Sequence, residues 1–191
     1  LKSSNLKRRV GESMRACGLQ EVQSLTLSNE RDQFENVRWL SEGYVTEIAN
    51  PITSDHTLLR QYILPSLLRL LAANRHHELP QRVYELGDVI RDSKNFLRAA
   101  WACAEVGSGF TSSKGIVQAL LRDMGAIQDE VEFKPTDAEG GPWISGRGSH
   151  VFVRGEKIGE FGEIDPKVSG FFGIKSPIQA GEIDLEAIHR I

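Results

Sequence analysis

Apolar side chains recur along this chain first at helical and then at strand spacing. Leu6, Val10, Met14 and Cys17 lie three or four residues apart, with Lys7, Arg8, Arg9, Glu12 and Arg15 on the other faces, so residues 4–17 predict an amphipathic helix. Ser3-Ser4 can cap its start, and Gly18 tolerates the left-handed turn that ends it. Residues 22–27 alternate Val22, Ser24, Thr26 against Gln23, Leu25, Leu27, the period of a strand. Residues 28–43 are polar and mixed, which suits a loop or a short helix. A short strand over 44–48 stops at Asn50-Pro51, because proline holds its predecessor extended. Ser54-Asp55 can cap the turn that carries Leu58, Leu59 and Arg60. Pro65 then opens a helix at a position where a missing N–H costs little, with Leu67, Leu68, Leu70 and Leu71 as its apolar face and its end near Asn74.

Residues 82–90 predict a strand. Residues 97–106 predict another, whose nearly unbroken apolar run Ala99-Ala100-Trp101-Ala102-Cys103-Ala104 calls for cover on both faces. A third helix begins at Thr111–Ser113, turns Ile116, Val117, Leu120, Leu121 and Met124 inward, and closes at Gly125. A short strand over 131–133 and a glycine-rich acidic loop over 137–142 follow. Residues 149–154 and 157–164 pair as a hairpin around Gly155-Glu156. Pro166 starts a short helix, residues 178–183 a last strand and residues 185–189 a terminal helix. Strands joined by short turns predict an α+β fold, an antiparallel sheet with helices on one face, built as a single domain over 1–191.

Composition narrows the class. The 191 residues are 40% hydrophobic and 26% charged, the balance of a globular domain with a real core. No apolar run is long enough to span a membrane, and no apolar stretch follows Lys2 as in a signal peptide. A chain that begins with Leu is expected to be a fragment of a longer protein. The net charge of -3 disfavours a strongly basic nucleic-acid binder, and Lys7-Arg8-Arg9 reads as a solvated helix face. Cys17 and Cys103 make no disulfide framework and suit buried thiols in a reducing, cytosolic compartment.

Candidate chemistry is sparse. His76-His77 is the only histidine cluster; adjacent side chains diverge, and no CxxC or HxxxH accompanies them, so no metal site is expected. His56, His150 and His189 stand alone in sequence. Gly146-Arg147-Gly148 has glycines and an arginine fork that suit a phosphate, but it lacks a third glycine and reads as a tight lead-in to the following strand. Arg82 and Glu85, three apart on a strand, face opposite sides. Asp184 and Glu186 suit the start of the last helix. Arg60 follows Leu58-Leu59 and precedes the leucine-rich helix, so it reads as structural. A buried guanidinium there needs a carboxylate, and Glu85 is the expected partner.

Several short motifs occur in a telling order. Gly18-Leu19-Gln20-Glu21-Val22 leads from helix to strand. Asn50-Pro51, Leu59-Arg60, Leu64-Pro65-Ser66-Leu67-Leu68 and Asn74 follow, then Tyr84-Glu85-Leu86-Gly87, then Phe110 with Lys114-Gly115. The late block runs Gly146-Arg147-Gly148-Ser149, Gly159, Gly162-Glu163-Ile164-Asp165-Pro166, Phe172-Gly173-Ile174 and Gly181-Glu182-Ile183-Asp184-Leu185. Over nearly the whole chain this order resembles the C-terminal core of the beta subunit of phenylalanyl-tRNA synthetase, in its archaeal and eukaryotic form. The family more often has His where Asp165 stands.

The resemblance implies a class II synthetase-like antiparallel sheet flanked by helices that does not itself catalyse. It implies a catalytic alpha subunit as partner, an assembly of two alpha and two beta subunits, tRNA as the ligand of that assembly and a cytoplasmic location. ATP and magnesium are expected to serve the whole enzyme. Active class II enzymes hold ATP with an arginine on a second motif and another in a glycine-rich third motif. Here Leu185-Glu186-Ala187-Ile188 stands in the latter place and Arg190 is displaced, so no catalytic, cofactor or metal residue is carried over. The first helix corresponds to an interface-building motif, so Leu6, Val10 and Met14 are expected to face another subunit. Alternatives are an independent ATP-using class II ligase, marked by paired arginines lining a nucleotide pocket, and an interaction module unrelated to tRNA.

Overall fold

The computed structural model of the protein describes residues 2–189, so Arg190 lies outside the described residues. A seven-stranded sheet runs in the order β1 (Gln20–Glu21), β4 (Gln81–Arg91), β5 (Lys94–Ala104), β9 (Ile178–Asp184), β8 (Glu156–Ile164), β7 (Trp143–Val153), β6 (Val131–Pro135). β1 pairs with β4 in parallel, and every other neighbouring pair is antiparallel. A small ladder of β2 (Leu27–Ser28) and β3 (Leu58–Leu59) stands apart. The mixed α+β class holds, with one parallel pair at the edge.

Helices cover both faces of the sheet, a correction to the expected single face. On one face, α1 (Lys2–Ala16), α3 (Phe110–Asp123) and α5 (Leu185–His189) pack on Tyr84, Ala99, Trp101, Cys103 and Phe161. On the other, α2 (Leu64–Ala73), α4 (Pro166–Phe171) and part of the 37–63 segment pack on Val83, Ala100, Ala102, Ala104 and Ala180. The reason lies in β5. Its side chains alternate between the two faces, both sets are apolar, and both must leave water. The alanines on the α2 side leave room for the leucines of that helix. On the α1 side Trp101 fills the space; its Nε1 donates to Ser113 Oγ at 3.0 Å and Gln179 Oε1 at 3.1 Å. The facing strand position is Gly181, where a methyl group would overlap the indole.

The apolar stripe of α1 turns inward. Leu6, Val10 and Met14 are buried in this chain's own core with Leu120, Leu121 and Ile188. The expectation that they face another subunit is therefore corrected. The periodicity was that of a buried face, and α3 supplies the partner surface within the chain. Two predicted strands are largely absent; of residues 22–27 only Leu27 enters a ladder, in β2. Residues 22–26 form no ladder: Val22 N donates to Tyr84 O, and Ser24 is held by the Glu85 carboxylate instead. Residues 44–48 contribute only an isolated bridge, Glu47 to Leu58. The polar 28–43 stretch winds into a single π-helical turn at Arg31–Glu35.

Candidate functional site

Register places a polar row across the face that α2 covers. Glu85 on β4 opposes Ala100 on β5, which opposes Glu182 on β9; Glu182 opposes Glu160 on β8, then His150 on β7 and Lys134 on β6. Directly opposed residues share a face, so these side chains lie on one line. The row begins with two carboxylates in the driest part of the molecule. Glu85 and Glu182 are each 1% exposed, and a carboxylate that deep persists only with charge and hydrogen-bond partners.

Glu85 meets Arg60, just beyond β3. Arg60 Nη1 donates to Glu85 Oε2 at 2.5 Å and to Ser24 Oγ at 3.0 Å, while its Nε donates to the Asp88 carbonyl at 3.0 Å. Glu85 Oε1 accepts the Ser24 hydroxyl at 2.8 Å and the Ser24 backbone N–H. A Cβ on Gly87 would come within 2.5 Å of Arg60 Nη2, so this glycine opens the slot for the guanidinium. The pair pins the irregular 22–26 and 58–60 stretches to β4.

Glu182 meets Arg98 on β5, whose Nε donates to Oε2 at 2.5 Å. Glu182 Oε1 accepts the backbone N–H groups of Ile63 and Leu64, both at 2.7 Å, at the start of α2. The carboxylate caps helix N–H groups that otherwise lack acceptors and faces the positive end of the helix dipole. Burial disfavours the Arg98 charge, but the Glu182 carboxylate outweighs it and holds the Arg98 pKa above its ordinary value. Sequence reasoning missed this pair. The partners are 84 positions apart, and only the β5–β9 register brings them together.

Around them sits a second ring of contacts. Arg91 donates to Gln61 O through Nε at 3.2 Å and Nη2 at 2.8 Å, pairs with Glu42, and lies over the Tyr62 ring at 5.0 Å. Burial, and then the nearby Arg98 charge, lowers the Arg91 pKa. Burial and then Glu42 push the Tyr62 phenol well above its ordinary range, so the hydroxyl remains a donor, to Leu40 O at 2.6 Å. Farther along the row Glu160 accepts Trp143 Nε1 at 3.1 Å and Lys157 Nζ at 3.3 Å. Burial and Lys157 lower the His150 pKa against the pull of Glu160.

All four oxygens of Glu85 and Glu182 are engaged by donors within the chain. Chemically the row is a clamp: it ties α2 and the 22–63 segment to the sheet through two buried carboxylates whose every oxygen has a donor within the chain.

The other singled-out residues scatter. Arg82 pairs with Glu105 at 2.5 Å and donates to Cys17 O at 2.9 Å, on the α1 face and opposite Glu85. Arg147 lies within β7 and pairs with Glu163 at 2.9 Å. Asp184 Oδ1 accepts the N–H groups of Glu186 and Ala187 and starts α5. His76 and His77 follow α2 in a turn, and no cluster able to hold a metal ion occurs among the described residues. Both cysteines are free thiols raised by burial, Cys103 to about 12. No helix among the described residues is long and apolar enough to cross a membrane.

Comparison with known proteins adds a lineage. A family model described as the phenylalanyl tRNA synthetase beta chain CLM domain matches residues 1–185. The chain is 36% identical over 178 residues to a phenylalanine–tRNA ligase beta subunit of Archaeoglobus fulgidus, covering 92% of this chain and 32% of that protein. It is 39% identical over 175 residues to the beta subunit of Methanopyrus kandleri (88% and 29%), and 38% over 180 residues to that of Pyrococcus horikoshii (91% and 31%). The chain thus spans about a third of the length of the curated relatives it matches.

Proposed function

Since the chain belongs to the phenylalanyl-tRNA synthetase beta chain CLM domain family, we propose that it is the non-catalytic core of a phenylalanine–tRNA ligase beta subunit. In this reading it scaffolds a catalytic alpha subunit in an assembly of two alpha and two beta subunits, in the cytoplasm, that charges tRNA with phenylalanine. ATP and magnesium serve the whole enzyme. We read the sheet with its flanking helices as a class II synthetase-like fold whose ligand face has been given over to structure.

One observation carries the proposal. One face of the sheet is occupied by α2 and the 37–63 segment, held down by Arg60–Glu85 and Arg98–Glu182. An ATP-using enzyme would aim paired arginines at phosphates. These two arginines are spent on buried carboxylates, and freeing either would strand a charge in the core.

The test is association. The purified chain, mixed with the alpha subunit of a relative such as the Archaeoglobus fulgidus enzyme, is expected to elute as one complex by size-exclusion chromatography with light scattering. Two separate peaks at micromolar concentrations would overturn the reading. The contact is expected outside the Leu6, Val10, Met14 stripe, which the chain's own core already occupies.

A further inference from the structure

His76 takes no part in the clamp, yet it lines a cleft of about 410 Å³ between the C-terminal end of α2 and the loop after α4. The charged and imidazole groups that line this cleft are Arg75, His76 and Lys175; no carboxylate does. In a chain of net charge -3 that is an uneven distribution. Leu71, Leu79 and Ile174 supply apolar lining, and Leu79 is 43% exposed.

Carbonyls at the helix end beside the cleft are taken up by side-chain donors. The Leu70 carbonyl accepts Asn74 Nδ2 at 2.9 Å, the Ala72 carbonyl accepts Arg75 Nη1 at 3.0 Å, and the Asn74 carbonyl accepts Gln81 Nε2 at 2.9 Å. Glu105, on the residue after β5, is engaged by Arg82 at 2.5 Å. Arg75 keeps Nε and Nη2 outside that bond, and Lys175 and His76 add donors across the opening.

We infer that this cleft takes one nucleotide unit of RNA, its phosphate between Arg75 and Lys175 and its base against the exposed Leu79. Cationic groups that follow the backbone are what grips single-stranded RNA, and Leu79 beside them offers an apolar contact to the base. The volume is within the range of small-ligand sites. The inference rests on the reading that the chain works in tRNA charging, and it names a place where the RNA is held.

Arg75 and Lys175 are exposed, so Arg75→Gln with Lys175→Gln leaves the core intact, which matching thermal melts would verify. The probe is a short fluorescein-labelled single-stranded RNA of mixed sequence, bound to the intact chain over a salt series. The double variant is expected to bind several-fold more weakly. Its slope of log affinity against log salt should be smaller by about 0.7, the value for one phosphate contact on a single strand. Uridine 5′-monophosphate should compete better than inorganic phosphate, and Leu79→Ser should erase that advantage. Equal RNA binding by wild type and double variant overturns the inference, as does equal competition by poly-aspartate or by inorganic phosphate. Association with the alpha subunit, followed on the same variants, reports separately on the function proposed above. It should be unchanged, and its failure in the wild-type chain alongside intact RNA binding would remove that reading and leave the cleft assignment standing.

Discussion

Removing the Arg60 guanidinium leaves Glu85 charged, buried and supported only by the Ser24 donors. Breaking one partner of such a pair costs roughly 3–5 kcal/mol. Arg60→Ala is expected to lower the stability of the chain by that amount in chemical denaturation, and Arg60→Lys to recover only part, because lysine cannot bond Glu85, Ser24 and Asp88 O together. Unchanged stability in Arg60→Ala would show that the arginine is not structural. Asp165 gives a pH-dependent expectation. The Lys167 N–H, and then Arg38 against the opposing effect of burial, hold its carboxyl below the ordinary range. A depressed folded pKa stabilises above the unfolded value of about 3.9 and loses that contribution as pH falls through the folded value. Asp165→Asn should therefore melt below the wild type at neutral pH, with the gap closing below about pH 4; a gap independent of pH would contradict this. Arg60 with Glu85 could be read from the chain because a lone arginine between apolar runs needs a carboxylate. Arg98 with Glu182 could not, because each looks like an isolated charge in a strand until register joins them.

At the scale of elements, α1 shows how much a stripe reveals. Helical spacing identifies an apolar face but not what covers it, and α3 covers it within the same chain. Leu6→Asp with Val10→Asp should therefore unfold the isolated chain, because Val10 is fully buried and a carboxylate there has no partner. Loss of the cooperative melt is the expected readout; an intact fold that merely fails to bind the alpha subunit would restore the interface reading. β5 and β9 carry a second expectation. A methyl at position 181 would overlap Trp101, so Gly181→Ala should cost about 1–3 kcal/mol through overpacking. A thermal melt unchanged from wild type would contradict it. The long helices and the central strands were legible because their periods are set by burial. The 22–26 and 44–48 stretches misled because alternation there has no ladder behind it: Ser24 bonds a side chain, and one bridge is all that 44–48 gains.

For the molecule as a whole, covering both sheet faces follows from the unbroken apolar run of β5, a feature already visible in the chain. What composition could not show is that the face covered by α2 holds two buried ion pairs, Arg60–Glu85 and Arg98–Glu182. The chain spans about a third of the length of its curated relatives. In the proposed function this core does no chemistry of its own. Phenylalanine-dependent exchange of labelled pyrophosphate into ATP tests it most directly. The purified chain is predicted to show no exchange above a protein-free background, while the alpha subunit assembled with a whole beta subunit does exchange. Exchange by the chain alone that depends on phenylalanine and magnesium would contradict the account.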